Sequence, residues 1–289
     1  MTVDNVSSEI GQKWLIKDQE LHLEKPVIMG ILNVTPDSFS DGGQFIDPSI
    51  AVSRALEMVD QGATIIDVGG ESSRPGSIPV SVEAEISRTI PVIAALAAES
   101  DAIVSIDTQK AEVAQAALKA GAHIVNDISA GRSDPDMFRI IHEYQAGYIL
   151  MHMQGKPETM QLAPSYHSVL DEVAGFLFER LESAISSGID LERMVVDPGI
   201  GFGKSLKDNL TLMGNLHRFN TRGRPLLLGA SRKSFIGMID DSPADQRLGG
   251  SLAAVISAFL RGVRIFRVHD VPETCQVLDI FSAIQKHSD

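Results

Sequence analysis

One cysteine, Cys275, is all that the 289 residues contain, so no internal disulfide staples the fold, and a lone thiol in a helical stretch reads as packing. Aromatic residues are scarce as well: one Trp and three Tyr do not make a base-stacking platform. Positive charge is in deficit, with 25 Lys and Arg against 38 Asp and Glu, a net charge of −13. Such a surface repels phosphate backbones and anionic membranes, so no nucleic-acid or membrane partner is expected and an anion binds only where cations gather. No apolar run, the stretch 253–260 included, approaches the ~20 residues of a bilayer span. The first ten residues hold Asp4 and Glu9 among small polar residues and lack the basic-then-apolar layout of a signal peptide. A reducing, cytoplasmic setting is the expectation.

What is present is alternation. With 44% hydrophobic and 22% charged residues the chain is globular rather than disordered. Eight short β-rich runs (27–33, 64–68, 103–107, 123–126, 148–152, 194–197, 226–229 and 264–268) are separated by amphipathic helical stretches. That pattern gives parallel strands with crossover helices, and eight of them at this length predict an α/β fold, a (β/α)8 TIM barrel over residues 26–289. Residues 1–25 form a separate N-terminal segment, in which 14–24 reads as a small hairpin turning at Asp18 and Gln19 and capping the bottom of the barrel.

The helices carry their own punctuation. Asp47 is placed to cap the first, Pro48 suits its first turn, Val52, Ala55, Leu56 and Val59 make its apolar stripe, and Gly62 ends it. The stretch 111–121 repeats the pattern with Val113, Ala116, Ala117 and Ala120. Five residues past a glycine comes a polar residue in four copies: Asp67 after Gly62, Asn126 after Gly121, His152 after Gly147 and Arg267 after Gly262. The repeat predicts that all four stand at strand ends around one mouth, where barrels of this kind keep their active sites. Two loops rich in Gly, Ser, Asp and Pro, 33–43 and 69–79, suit lids over that mouth.

Five motifs follow in order: Asn33-Val-Thr-Pro-Asp-Ser-Phe-Ser-Asp41-Gly-Gly, Gly69-Gly-Glu-Ser-Ser-Arg-Pro-Gly76, Asp197-Pro-Gly-Ile-Gly-Phe-Gly-Lys204, Ser231-Arg-Lys-Ser-Phe-Ile-Gly237 and Arg267-Val-His-Asp270. From residue 26 onward the chain resembles the dihydropteroate synthase family. The resemblance implies condensation of p-aminobenzoate with (7,8-dihydropterin-6-yl)methyl diphosphate to 7,8-dihydropteroate and pyrophosphate, with Mg²⁺ as cofactor and a homodimer as the assembly. It puts Asp107, Asn126, Asp197 and Lys233 on the pterin, Asn33 on Mg²⁺, and Arg267 and His269 on the diphosphate. Phe39, Ser73, Pro75, Phe202 and Ser234 would border the p-aminobenzoate, and Arg74, Met151 and Gly229 complete the substrate-binding set. Asn33, Asp41, Lys233, Arg267 and His269 form the implied catalytic set. The chain departs from the family pattern at Ser73, where Thr is usual, at Ala111, where Pro is usual, and at Ala130 and Ala230, where Gly and Thr or Val are frequent.

The residues argue for the same chemistry independently. A pterin presents an N–H beside an exocyclic amine, and one carboxylate accepts both, with Asp197 the best placed. Asp107 and Asn126 suit the other ring nitrogens, and Lys233 a carbonyl oxygen. Breaking the methylene C–O bond leaves negative charge on pyrophosphate, which calls for electrostatic stabilisation rather than a nucleophile. The alternate spacing of Arg267 and His269 aims both from one side of a strand. Gly201-Phe-Gly-Lys204-Ser205 ends like a phosphate-binding loop but has Pro198 where the first glycine belongs. The histidines lack zinc-ligand spacing. Two rival readings share the pterin site: a methyltransferase acting on a methylated folate and a corrinoid partner, which has no need of the Arg267/His269 pair, and a pterin-binding paralogue without turnover.

Overall fold

A computed structural model describes residues 13–35, 48–73 and 76–287. Its first elements are the antiparallel strands β1 (Lys13–Ile16) and β2 (Gln19–His22). Ile16 pairs with Gln19, so the turn is Lys17–Asp18, one residue earlier than expected; Lys17 adopts a φ of +50°, as the tight hairpin turns that match strand twist require.

Eight parallel strands follow: β3 (Val27–Asn33), β4 (Ile65–Gly69), β5 (Ile103–Asp107), β6 (Ile124–Asp127), β7 (Gly147–Met151), β8 (Met194–Asp197), β9 (Leu227–Leu228) and β10 (Ile265–Val268). All fall within a residue or two of the predicted runs. The sheet runs from β8 through β7, β6, β5, β4 and β3 to β10 and β9. A parallel bridge between Val196 and Leu226, with Val196 N donating to Pro225 O at 3.1 Å, brings β8 against β9 and closes the ring.

Alternation sorts the strand residues into two cores. Each barrel strand sends one side chain into a common inner layer: Met29, Ile65, Ile103, Ile124, Ile149, Val195, Leu227 and Ile265. Trp14, Ile16 and Leu23 of the N-terminal hairpin segment pack onto that layer, and the fully buried Trp14 donates its indole N–H to Arg193 O at 2.7 Å. The hairpin therefore plugs the barrel floor. The intervening residues, such as Ile66, Val104, Val125, Leu150, Val196 and Phe266, face outward into the shell of helices. In the helix Pro48–Asp60 the buried face is Ala51, Val52, Ala55 and Met58, and in Ala111–Lys119 it includes Ala114 and Leu118, so both stripes are rotated slightly from those expected. The anticipated cap Asp47 lies outside the described residues. No helix among the described residues is long and apolar enough to cross a membrane.

Candidate active site

Period-two geometry carries the floor layer upward to the mouth. Two and four residues beyond each floor residue come Ile31 and Asn33, Asp67 and Gly69, Ser105 and Asp107, Asn126 and Ile128, Met151 and Met153, Asp197 and Gly199, Gly229 and Ser231, Arg267 and His269. The sequence-predicted residues Asn33, Asp107, Asn126, Met151, Asp197, Gly229, Arg267 and His269 are all in this register. His152 is not. The residue that ends the preceding helix in left-handed conformation is Gln145, with φ of +49°, while Gly147 is already the first residue of β7. Counted from the floor residue Ile149, the in-register position is Met151, so His152 is one residue past it and turns to the opposite face, where its ring stands edge-on to Phe176, 4.9 Å between centroids.

The other three members of the repeat do meet. Arg267 Nε donates to Asp67 Oδ2 at 2.6 Å, its terminal nitrogen to Asp107 Oδ2 at 2.7 Å, and Asn126 Nδ2 to Asp67 Oδ2 at 3.1 Å. Asp67 is fully buried, and its Oδ1 and the neighbouring Ser105 Oγ have no hydrogen-bond partner. Burial pushes the Asp107 carboxyl up to about 7; Arg267 opposes the shift and the Asp67 charge adds to it. Arg267 stays cationic because its two carboxylates outweigh the penalty of burial.

Across the barrel, Asp197 Oδ1 accepts the Gly199 N–H at 2.7 Å, which leaves Oδ2 for a ligand. Burial raises its pKa, against the Gly199 bond and the charges of Lys233, Lys204 and Arg267. Gly199 has φ of +68°, and a Cβ there would stand 1.9 Å from His152 O, so only glycine carries the chain past β7. Lys233 Nζ donates to Ile200 O and lies 4.1 Å above the Phe202 ring. Burial pulls it down to about 7 despite the Asp197 charge. Ile128, Met151, Met153 and Met160 form an apolar ledge, with Phe202 packed against it.

At the rim, Ser231 Oγ contacts His269 Nδ1 at 3.0 Å, and Arg232 is paired with Asp270 rather than free for an anion. Ser234 opens the helix Ser234–Asp240 and is exposed. Asn33, half-buried, has its Oδ1 close to Gly69, on the side of Asp107. The root of the loop carrying Ser73 is fastened by Lys110, which pairs with Glu71 and with buried Glu85; the sequence reading missed this latch, since its partners come from three separate segments. It also missed Ile128 and Met153, which period-two counting from Ile124 and Ile149 would have found. Phe39, Asp41, Arg74 and Pro75 lie outside the described residues.

A closed eight-strand barrel with carboxylates, an amide and two cations converging at one mouth defines a pterin-binding enzyme. The profile of the family described as pterin binding enzyme matches residues 29–269, and the chain belongs to that family. Within it the chain falls among the dihydropteroate synthases. It is 46% identical to the dihydropteroate synthase of Escherichia coli (strain K12) over 271 residues, 94% of this chain and 96% of that one. The dihydropteroate synthase of Xanthomonas albilineans with 4-aminobenzoic acid superposes with a TM-score of 0.90 at 42% identity, covering 96% of this chain and 99% of that one. The same enzyme in complex with 7,8-dihydropteroate gives 0.86 at 40% identity, covering 96% and 100%.

Proposed function

We propose that the chain joins p-aminobenzoate to (7,8-dihydropterin-6-yl)methyl diphosphate, releasing pyrophosphate and forming 7,8-dihydropteroate. The observation that carries this reading is the convergence of Asp107, Asn126, Asp197 and Lys233 around Arg267 at the mouth of the barrel. The relatives that hold 4-aminobenzoic acid and 7,8-dihydropteroate support it, since these are one substrate and the product of that reaction.

In this reading Asp197 Oδ2 accepts the paired N–H groups of the pterin, Asn126 and Asp107 read the remaining ring nitrogens, and Lys233 donates to the ring carbonyl or a ring nitrogen. Met151 and Gly229 shape the slot. Arg267 and His269 face the diphosphate, and Arg267 still has N–H groups beyond the two spent on Asp67 and Asp107. The methylene C–O bond breaks, its electrons leave with pyrophosphate, and the neutral arylamine forms the new C–N bond and loses a proton. No covalent enzyme intermediate is needed. Phe202, Ser234, Ser73 and, from the segments not described, Phe39 and Pro75 border the p-aminobenzoate; Arg74 adds a cation for anion binding at the mouth, and Asp41 completes the catalytic set.

Among the described residues no group of three or more His, Cys, Asp and Glu is arranged to cage a metal. A lone Asn33 oxygen suits an ion that takes its other ligands from diphosphate and water, which is how Mg²⁺ commonly binds. When bound, it would neutralise charge on the leaving group. A homodimer fits the helix Leu248–Phe259, which contains no charged residue and leaves Ala253 and, just beyond its end, Leu260 exposed. A cytoplasmic location accords with the chemistry.

Ser73 keeps the hydroxyl of the usual Thr and lacks one methyl, worth about 0.8 kcal/mol when fully buried, or roughly fourfold in affinity. Ser73→Thr should therefore change KM for p-aminobenzoate by less than about tenfold, with kcat within about threefold. Steady-state kinetics on both proteins check this. A parent without turnover, rescued by Ser73→Thr, would contradict the proposal and favour the non-catalytic paralogue.

A further inference from the structure

The stretch that imitates the end of a phosphate loop has another use. Ser205 is committed to a capping box with Asp208 at the start of the helix Leu206–Gly214. Lys204 is 1% exposed, and its Nζ lies 2.8 Å from Gly199 O, 2.9 Å from Phe202 O and 3.0 Å from His152 Nδ1. Burial and the Lys204 charge hold the His152 imidazole neutral, well below its usual range, so Nδ1 is free to accept. Among the described residues no carboxylate forms an ion pair with Lys204, and carbonyl dipoles stabilise the ammonium instead.

Each carbonyl from residue 199 to residue 203 is claimed by a side chain. Lys204 takes Gly199 O and Phe202 O, Lys233 takes Ile200 O, Gln161 takes Gly201 O, and Tyr166 takes Gly203 O at 2.7 Å. We propose that Lys204 is a positioning residue for the p-aminobenzoate and pterin sites: by drawing the Gly199 and Phe202 carbonyls toward His152, it holds the Ile200 carbonyl and the Phe202 ring at the mouth, where together they seat Lys233 Nζ. The peptide groups on both sides of the Gly199 Cα are held, the carbonyl by Lys204 and the N–H by Asp197, so the staple reaches the pterin acceptor too. A lysine is the side chain for this task, because one ammonium on a flexible stem serves several acceptors at once.

The inference rests on the transferase reading, and its test is built to fail separately from it. The charged groups facing Asp197 are Lys233, Lys204 and Arg267; those facing Lys204 are Asp197, Lys233 and Asp208. Lys204→Met keeps the stem and removes the ammonium. Loosened walls act on bound substrate before and during the bond change, so KM for p-aminobenzoate should rise about tenfold or more while kcat holds within about threefold. Loss of one of three cations that favour ionised Asp197 raises its pKa further, so the acid limb of pterin diphosphate binding should move to higher pH by more than about 0.3 unit. A parent that fails to turn over refutes the transferase reading itself. A parent that turns over, with either shift missing in Lys204→Met, overturns the positioning role, as does a lowered melting temperature with both readouts unchanged. If Lys204→Met does not fold, Lys204→Gln, neutral but still a donor, is read against the same two shifts.

Discussion

Arg267→Ala should lower kcat by about 10² or more, the scale of a lost transition-state donor. The guanidinium bridges Asp67 and Asp107, and in the proposed reaction it faces the departing diphosphate. Its removal takes a cation from where negative charge develops and leaves two carboxylates facing each other in a buried floor. The second effect costs stability, about 3 to 5 kcal/mol for a buried pair deprived of one partner. It also raises the Asp107 pKa further, since Arg267 is the charge that holds it down. Arg267→Lys should not rescue, because a point ammonium does not reproduce the fork that spans two carboxylates. Stopped assays on folded protein, verified by its melting curve, check the prediction. A loss confined to KM would mean that Arg267 binds ground state and transition state alike.

Asp197→Asn should weaken pterin diphosphate binding by about 1 to 3 kcal/mol, roughly fivefold to 150-fold. The Gly199 N–H, 2.7 Å from Oδ1, decides how the amide sits. It requires an acceptor, so the asparagine oxygen takes the Oδ1 position and its NH₂ is forced to Oδ2, where the pterin presents N–H groups of its own. The variant then opposes donor to donor, a worse arrangement than a mere absence. Titration calorimetry gives the affinity directly. Binding within about threefold of the parent would show that Asp197 is not the pterin anchor.

The barrel was legible because two periodicities coincide. Strand alternation marks the floor residues, and the glycines at 62, 121 and 262, all at positive φ, set a constant distance from helix end to strand interior. Where that distance is kept, Asp67, Asn126 and Arg267 arrive in one network. Gly147 is no helix-ending glycine but the first residue of β7, with Gln145 in the left-handed position, so the count of five from it overshoots Met151 by one and His152 changes sides. The same economy of sequence signals hides Lys204, whose burial depends on His152 and on carbonyls that fold back onto it. The pairing of Arg267 with acids 160 and 200 residues away follows from ring closure, which no local pattern records. Ala130 marks another limit: it holds φ of +53°, a conformation that explains why glycine is frequent at this position in the family.

In the proposed reaction one chain exchanges the diphosphate of a pterin for an arylamine. Pyrophosphate release, followed with the purified protein, Mg²⁺ and the pterin diphosphate, tests it most directly. Release should depend on added p-aminobenzoate and match 7,8-dihydropteroate one for one. Tight pterin binding without any p-aminobenzoate-dependent pyrophosphate, or methyl transfer from a methylated folate in its place, would contradict it.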